Sequence, residues 1–513
     1  MRTQIGIVAF GLMTAFAAGS GCRNRAGDCA LNGECCPDGT YSCSEATGGG
    51  GTGGAGGGTP VGCVPSAMNV PEDSCGVFVD PNASEGGTGT KDSPVQTITE
   101  AVGMLGADKT RIYACAAAFA EDVTLPGGTE LYGGLDCAKQ WGYVGDMTKT
   151  TITASTAGKV PLTLEAGMAT KVSDIHAVAL DGSAPGESSI AVVANEVAAE
   201  ITGCVFEAGK GVDGVLGEGY TSAAQSGAMG MVGGEACTAN TVVGADAVST
   251  RCGATDSTSG LGGNGSIASG GSGSPGLPDG AMNGGAGEGM SICTPGTKGD
   301  DGMPGMPGAG ATGLGTIAKA GYTGALGLNG MTAAPAQGGG GGGGAKGGSG
   351  AGLCPGATTG GAAGGSGGSG GCGGAGGRPG TAGGSSIALL SLSSSIAFTA
   401  VTLQSGDGGT GGDGGLGQDG GPGGFPGAGG GVPVGANNLN TACSGGDGGK
   451  GGKGGLGGGG RGGHSIGIAY RGAAVPSTEG VTFMKGMPGN GGMGADANGN
   501  GAPGAQVDVQ VFE

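Results

Sequence analysis

Tryptophan occurs once, at Trp141, and histidine twice, at His176 and His464, in a chain of 513 residues. Aromatic residues make up 3% and charged residues 12%. The side chains that fill ordinary cores and those that solvate ordinary surfaces are therefore both scarce. Lys and Arg number 21 against 40 Asp and Glu, a net charge of −19 with no basic cluster. That balance argues against a nucleic-acid partner, because phosphate neutralisation needs a positive surface. A single tryptophan with scattered tyrosines gives a poor aromatic platform for a glycan. After the first apolar run, no segment is long enough to cross a bilayer. What the chain has instead is glycine, 139 residues of it, mostly without strict period. Glycine at that density ordinarily means low complexity.

The N-terminus reads as an export signal: Arg2, then the apolar run "IGIVAFGLMTAFAA", then small residues up to Cys22. Gly19, Ser20 and Gly21 before Cys22 resemble a bacterial lipobox, with Gly where Leu is usual three places before the cysteine. Acylation of Cys22 is the expectation, and cleavage after Ala17 the alternative. Sixteen cysteines in an exported chain imply disulfides. Cys29, Cys35, Cys36, Cys43 and Cys63 form a local group with Cys22, followed by Cys75, Cys115 and Cys137 as further candidates. Six cysteines permit about 15 pairings that spacing does not rank. A zinc site is disfavoured, since an oxidising compartment and the lack of nearby histidines both oppose it.

After a Gly/Thr linker, "CGVFVD", "TRIYAC", "EDVTLPGGTELYGGLDC", "TTITAS" and "PLTLEAG" form a series of short strands punctuated by Gly and Pro. Between the first two, Thr97 to Leu105 places Ile98, Val102 and Leu105 at helical spacing. No helices alternate with the strands, so a doubly wound sheet is disfavoured. "SSIAVVANEVAAEITGCVFEAG" (188–209) and "SSIALLSLSSSIAFTAVTLQSG" (385–406) align without a gap. Ile190 meets Ile387, Ile201 meets Phe398, and Phe206 meets Leu403. A third copy at 464–486 puts Ile466, Val481 and Phe483 in the same columns, and a weaker one spans 171–182. Such a unit cannot bury its own apolar face and has the length of one solenoid turn, so it needs neighbours stacked on it. The helical segment would cap the first turn, and Val507, Val509 and Val511 alternate as a closing strand should.

The segment "CGVFVDPNASEGGTGTKDSPVQTITEAV" resembles the opening of right-handed parallel β-helix domains of the pectate-lyase-like superfamily, with its strand, glycine turn and P-x-x-T-I-x-x-A capping helix. With "LYGGLDC", the "SSIA" units and "GGHSIGIAYRG", the whole chain is similar to glycine-rich PGRS-type surface lipoproteins of myxobacteria. The glycine tracts share only composition with them. The resemblance implies an envelope or secreted protein with no assigned reaction.

Constellations for catalysis are sparse. A polysaccharide lyase or hydrolase on this fold wants clustered carboxylates on successive turns. Asp174 and Asp181 flank "IHAVAL", and Glu196 and Glu200 flank "VAA", but no acid pair recurs. Alternation with Ile175 and Ala177 turns His176 away from the core, and His464 opens a unit; both read as solvated surface, without a paired carboxylate or nucleophile. "GDGGTGGDGGLGQDGG" partly matches a calcium-binding repeat, yet its period is six. In a three-residue helix Asp407, Asp413 and Asp419 would lie about 19 Å apart, too far to share a cation. "GTKGDDGMPGMPGAG" (296–310) keeps Gly at every third place, too briefly for a collagen trimer. "GGDGGKGGKGG" and "GTGTK" at Lys91 lack the Ser or Thr of a phosphate loop.

The expectation is thus an all-β chain: a right-handed parallel β-helix with an N-terminal capping helix, interrupted by glycine-rich insertions that are either polyglycine II-like or disordered. The divisions are an export signal (1–21), a cysteine- and glycine-rich stalk (22–74), β-helix turns (75–209), an insertion (210–384), a turn (385–406), an insertion (407–463), a turn (464–486), a glycine loop (487–505) and a closing strand (506–513). The expected function is non-enzymatic: a cell-surface lipoprotein or secreted protein, structural or adhesive, with no cofactor or metal. Surface glycans or other envelope proteins are the expected partners, and the membrane is met only through the lipid anchor. A carbohydrate-binding or polysaccharide-degrading β-helix is the alternative.

Overall fold

A computed structural model of the chain describes residues 62–278, 281–472 and 474–513. The export signal, Cys22, Cys29, Cys35, Cys36 and Cys43 lie outside the described residues. The regular structure is almost entirely β, and three parallel sheets organise it.

Sheet A has seven strands, in the order Val77–Val79, Arg111–Cys115, Glu130–Asp136, Thr170–Ser173, Ala198–Thr202 and Ser395–Thr399, with Gly142–Tyr143 added antiparallel to Glu130–Asp136. Sheet B has six, Ala118–Ala120, Thr150–Thr153, Ile175–Val178, Val205–Ala208, Val401–Ser405 and Val481–Lys485. Sheet C also has six, Val123–Leu125, Leu162–Leu164, Ser189–Asn195, Ser386–Leu392, Ser465–Arg471 and Gln506–Val511. From Arg111 onward the chain visits A, B and C in that order and repeats the circuit, except that no sheet A strand lies between Ser465–Arg471 and Val481–Lys485.

The internal sequence repeat is the strand register. Ile190 pairs with Ile387, Ile201 with Phe398, and Phe206 with Leu403. Ile387 continues to Ile466 and on to Val507, while Val401 and Leu403 continue to Val481 and Phe483. In the weaker repeat, Val172 stands beside Ile201.

Single left-handed residues turn the chain between sheets. Asp174, Gly203 and Ala400 have φ of 56°, 62° and 53° and separate strands of sheet A from those of sheet B. Asp174 N–H donates to Thr202, and Gly203 N–H to Thr399, so the corners stack with the strands. One αL residue suffices for a sharp corner, and non-glycine residues there are uncommon enough to mark a deliberate bend.

Ile98–Gly103 forms one short helix with a capping box between Thr97 and Glu100, which satisfies the first free N–H groups. Its buried Ile98 and Ala101 pack with the apolar interior, against the first strands of the sheets. Strands exposed on one side alternate, as in Thr150–Thr153. Ser386–Leu392 is instead buried at every position. The outer face of sheet C is covered by Ile317, Leu314 and Tyr322 from a hairpin (Thr316–Ala318 with Gly321–Thr323) that returns from the glycine-rich region. A strand buried on both faces needs a continuous apolar run, which is why "SIALLSL" breaks the alternation.

Residues from Cys63 belong with the first strands rather than with a separate stalk: Cys63 is disulfide-bonded to Cys75, and Tyr113 Oη donates to the Cys63 carbonyl at 2.7 Å. Phe78, Tyr113 and Tyr132 stack in register on the outer face of sheet A, with centroids 4.9 and 5.7 Å apart. Trp141 packs edge-on to Phe78 and is buried.

Candidate functional site

Among the described residues, each long glycine tract leaves the sheets between a strand of sheet B and the next strand of sheet C, at Ala208/Ser386, Ser405/Ser465 and Lys485/Gln506. The tracts are ordered. Gly445, Gly448, Gly451, Gly454, Gly457, Gly460 and Gly463 donate to Gly427, Gly424, Gly421, Gln418, Gly415, Gly412 and Gly409, an antiparallel ladder with a step of three residues. Their neighbours Gly446, Gly449, Gly452, Gly455 and Gly458 donate to Gly340, Gln337, Ala334, Met331 and Leu328. A three-residue repeat with hydrogen bonds only between segments is the pattern of packed polyproline II-type helices, as in polyglycine II.

Glycine and other small residues fill as many positions of each triplet as face inward. Between Gly338 and Gly344 every residue is glycine, every residue is buried, and all three amides of a triplet are used: Gly339 donates to Gly368, Gly340 to Thr297, and Gly341 to Ser274. Residues 360–371 are buried throughout, with small residues alongside glycine; Ser366 and Ser369 Oγ accept the Met231 and Ala228 N–H. In 445–455 two residues of each triplet are buried glycines and the third is exposed or half-exposed Asp447, Lys450 or Lys453. In 296–308 one glycine per triplet donates inward, to Ser444, Asp447, Lys450, Lys453 and Leu456. The collagen-like motif is thus an outer segment of this array.

None of the tract glycines in these segments has φ in the left-handed region. Their role is close approach: a Cβ on Gly341 would sit against the Leu261 carbonyl oxygen, and one on Gly454 against that of Ala375.

Three disulfides staple the array, Cys237–Cys354, Cys252–Cys372 and Cys293–Cys443. Cys115–Cys137 lies in the stacked strands. Cys204 is a buried free thiol, pushed up to about 12 by burial. The aspartates of the calcium-repeat-like stretch, expected to be solubilising charge, serve as acceptors at the array's rim. Asp407 takes the Met487 N–H at 2.8 Å and Asp413 the Met493 N–H at 2.6 Å, while Asp419 pairs with Lys453 at 3.2 Å. The hydrogen bond from Met487 N–H, and then that from Lys210, hold Asp407 below the usual carboxylate range.

His464 corrects its expected exposure: it is fully buried where array meets sheet C. Its Nδ1 accepts the Ala505 N–H at 2.8 Å, so Nε2 carries the proton and donates to the Leu314 carbonyl at 3.0 Å. Burial holds its pKa below the ordinary imidazole value. Both nitrogens are occupied by backbone, which removes His464 from acid–base chemistry. Nearby, Arg461 Nη1 donates to Thr312 at 2.6 Å, and Lys319 ties the hairpin to Glu165 at 2.6 Å. The burial that the sequence reading missed comes from the hairpin, more than a hundred residues earlier in the chain.

His176 is half-buried on the outer face of sheet B, 2.9 Å from Glu207, a carboxylate the sequence reading did not pair with it. Glu207 also accepts from Gln404 at 3.3 Å. The flanking acids are dispersed. Asp174 accepts from Tyr143 Oη and pairs with Lys149, Asp181 accepts the Lys210 N–H, Glu200 pairs with Lys171, and Glu196 is a left-handed corner. Burial raises the Asp174 pKa.

A cleft of about 580 Å³ near the N-terminal end is lined by Asp80, Asn82, Asp136, Lys139 and the Cys115–Cys137 disulfide. Asp80 lies close to both sulfurs, but they are bonded to each other and do not offer thiolate ligands. Trp141 offers no platform there, since it is buried and its indole N–H donates to the Lys91 carbonyl. Compared with known protein families, characterised proteins and solved structures, the chain matches none.

Proposed function

We infer that the chain is an exported cell-envelope protein with a structural or adhesive role: a right-handed parallel β-helix carries an ordered glycine-helix array as its displayed surface. The constant A-B-C circuit with in-register stacking supports the β-helix, and parallel crossovers are right-handed in about 98% of cases. The observation that carries the functional reading is the match between small residues per triplet and inward-facing positions, with the backbone amides of successive triplets bonded from segment to segment. The array's recurrent chemistry is backbone cohesion, with charged side chains such as Asp447, Lys450 and Lys453 at its rim and only small or hydrogen-bonded polar ones such as Ser366, Ser369 and Gln337 inside. Disulfides throughout support an oxidising compartment. Among the described residues ten cysteines are bonded and Cys204 is free; the sequence has five more, the odd set Cys22, Cys29, Cys35, Cys36 and Cys43. Acylation of Cys22 would leave four to pair.

The test is surface labelling of intact bacterial cells that produce the chain or its Cys22→Ser variant. The reading expects membrane-associated, externally labelled protein that is released to the medium by the substitution. Retention of both forms inside the cell contradicts it, as does turnover of a uronic-acid polymer by the purified protein.

A further inference from the structure

The two ends of the sheets differ. The first strands are covered by the Ile98–Gly103 helix. At the other end, Ser395–Thr399, Val481–Lys485 and Gln506–Val511 are the last strands of sheets A, B and C; among the described residues each pairs on one side only, with the strands of B and C reaching one layer beyond that of A. The apolar columns show the consequence. Phe119, Ile152, Ala177, Phe206 and Leu403 are buried, and the next residue in that column, Phe483, is half-exposed. Likewise Leu162, Val192, Leu389 and Ile468 are buried, whereas Val509 is half-exposed. Among the described residues the end of the core is open, beside the unpaired edges of the outermost strands of sheets B and C.

We propose that this end is an interface with a second copy of the chain, joined end to end about a two-fold axis. This rests on the reading of the three sheets as one stacked body. An isolated extended peptide could satisfy one edge only. A surface that offers two edges with apolar columns at sheet spacing is this same end, and a two-fold turns its parallel edges into antiparallel partners. The charges allow it: Lys485 and Asp508 are ion-paired side by side on these strands, so a two-fold can set the cation of one copy against the anion of the other. The contact completes both edges, which otherwise remain templates for uncontrolled pairing.

Sedimentation velocity of the purified chain across a dilution series tests the proposal, alongside two variants. Gln510→Lys charges the edge strand without altering the apolar columns, and Val509→Lys places charge in the open column. The wild type is expected at twice the chain mass, with both variants at single mass and Gln510→Lys retaining the wild-type melting curve. Single mass for the wild type at every dilution overturns the proposal, as does a dimer that survives Gln510→Lys. Hydrogen exchange at Ser386–Leu392 in the same samples reports on the stacked body separately. Protection there with a monomeric wild type sinks the interface alone, and rapid exchange there sinks the underlying reading.

Discussion

Ile190 stands beside Ile387 on adjacent strands of one sheet, with Ser385 N–H bonded to Ser188 Oγ across the same separation of 197 residues. The register does not stop where the strands do. Thr410 N–H reaches Asp213 across the same 197 residues, and Met487 N–H reaches Asp407 across 80, as Val481 pairs with Val401. The strand register of the sheets therefore continues into the glycine tracts that leave them.

Central glycines should tolerate no methyl. Gly341→Ala drives a Cβ into the Leu261 carbonyl and is expected to cost about 1–3 kcal/mol or more, as overpacking does. Asp447→Ala, on an exposed ridge, is expected within about 0.5 kcal/mol of wild type. Chemical denaturation of the two variants checks this, and equal midpoints would remove the close-packing explanation for the glycine.

The junction should weaken in mild acid. The folded pKa of His464 is depressed, so its contribution is intact above the unfolded value of about 6.5 and is lost as pH falls below it. Protonation abolishes acceptance of the Ala505 N–H and places a cation beside Arg461. Unfolding midpoints measured from about pH 8 to about pH 5 should fall for wild type. His464→Leu should start lower and lose that portion of the pH dependence.

The array's staples close long loops. Cys252 and Cys372 are separated by 120 residues, for which loop-closure entropy gives about 4–5 kcal/mol. The double Ser variant should lower the denaturation midpoint accordingly, and protease digestion should then cut first in the glycine tracts. An unchanged midpoint and digestion pattern would show that the lattice holds without this bond.

Cys204 is expected to resist alkylation in the native protein, because burial both shields it and disfavours its thiolate. Mass spectrometry after iodoacetamide treatment, native and denatured, should find the adduct only in the denatured sample.

The stacked strands were legible because an apolar column needs the same residue type at each layer: Ile190, Ile387 and Ile466 declare their alignment in sequence. The array was less legible. Gly-X-Y, Gly-Gly-X and Gly-Gly-Gly triplets were visible, but the burial that orders them depends on contacts between residues far apart, such as Gly446 with Gly340. The same distance hid the burial of His464 under Leu314 and the partnership of His176 with Glu207. The pairing of Cys63 with Cys75 joins residues on either side of a composition boundary, which made the boundary look like a domain edge.

Amide exchange resolved by residue through 338–371 and 445–463 tests the central claim most directly. Slow exchange at every amide of the all-glycine stretch 339–344, with slow exchange at the paired glycines of 445–455 and at Lys450, whose N–H meets the Asp301 carboxylate, and fast exchange at Asp447 and Lys453, is the expected result. Uniformly fast exchange through both tracts, with protection confined to the three sheets, would contradict the array and leave the glycine tracts as unstructured loops.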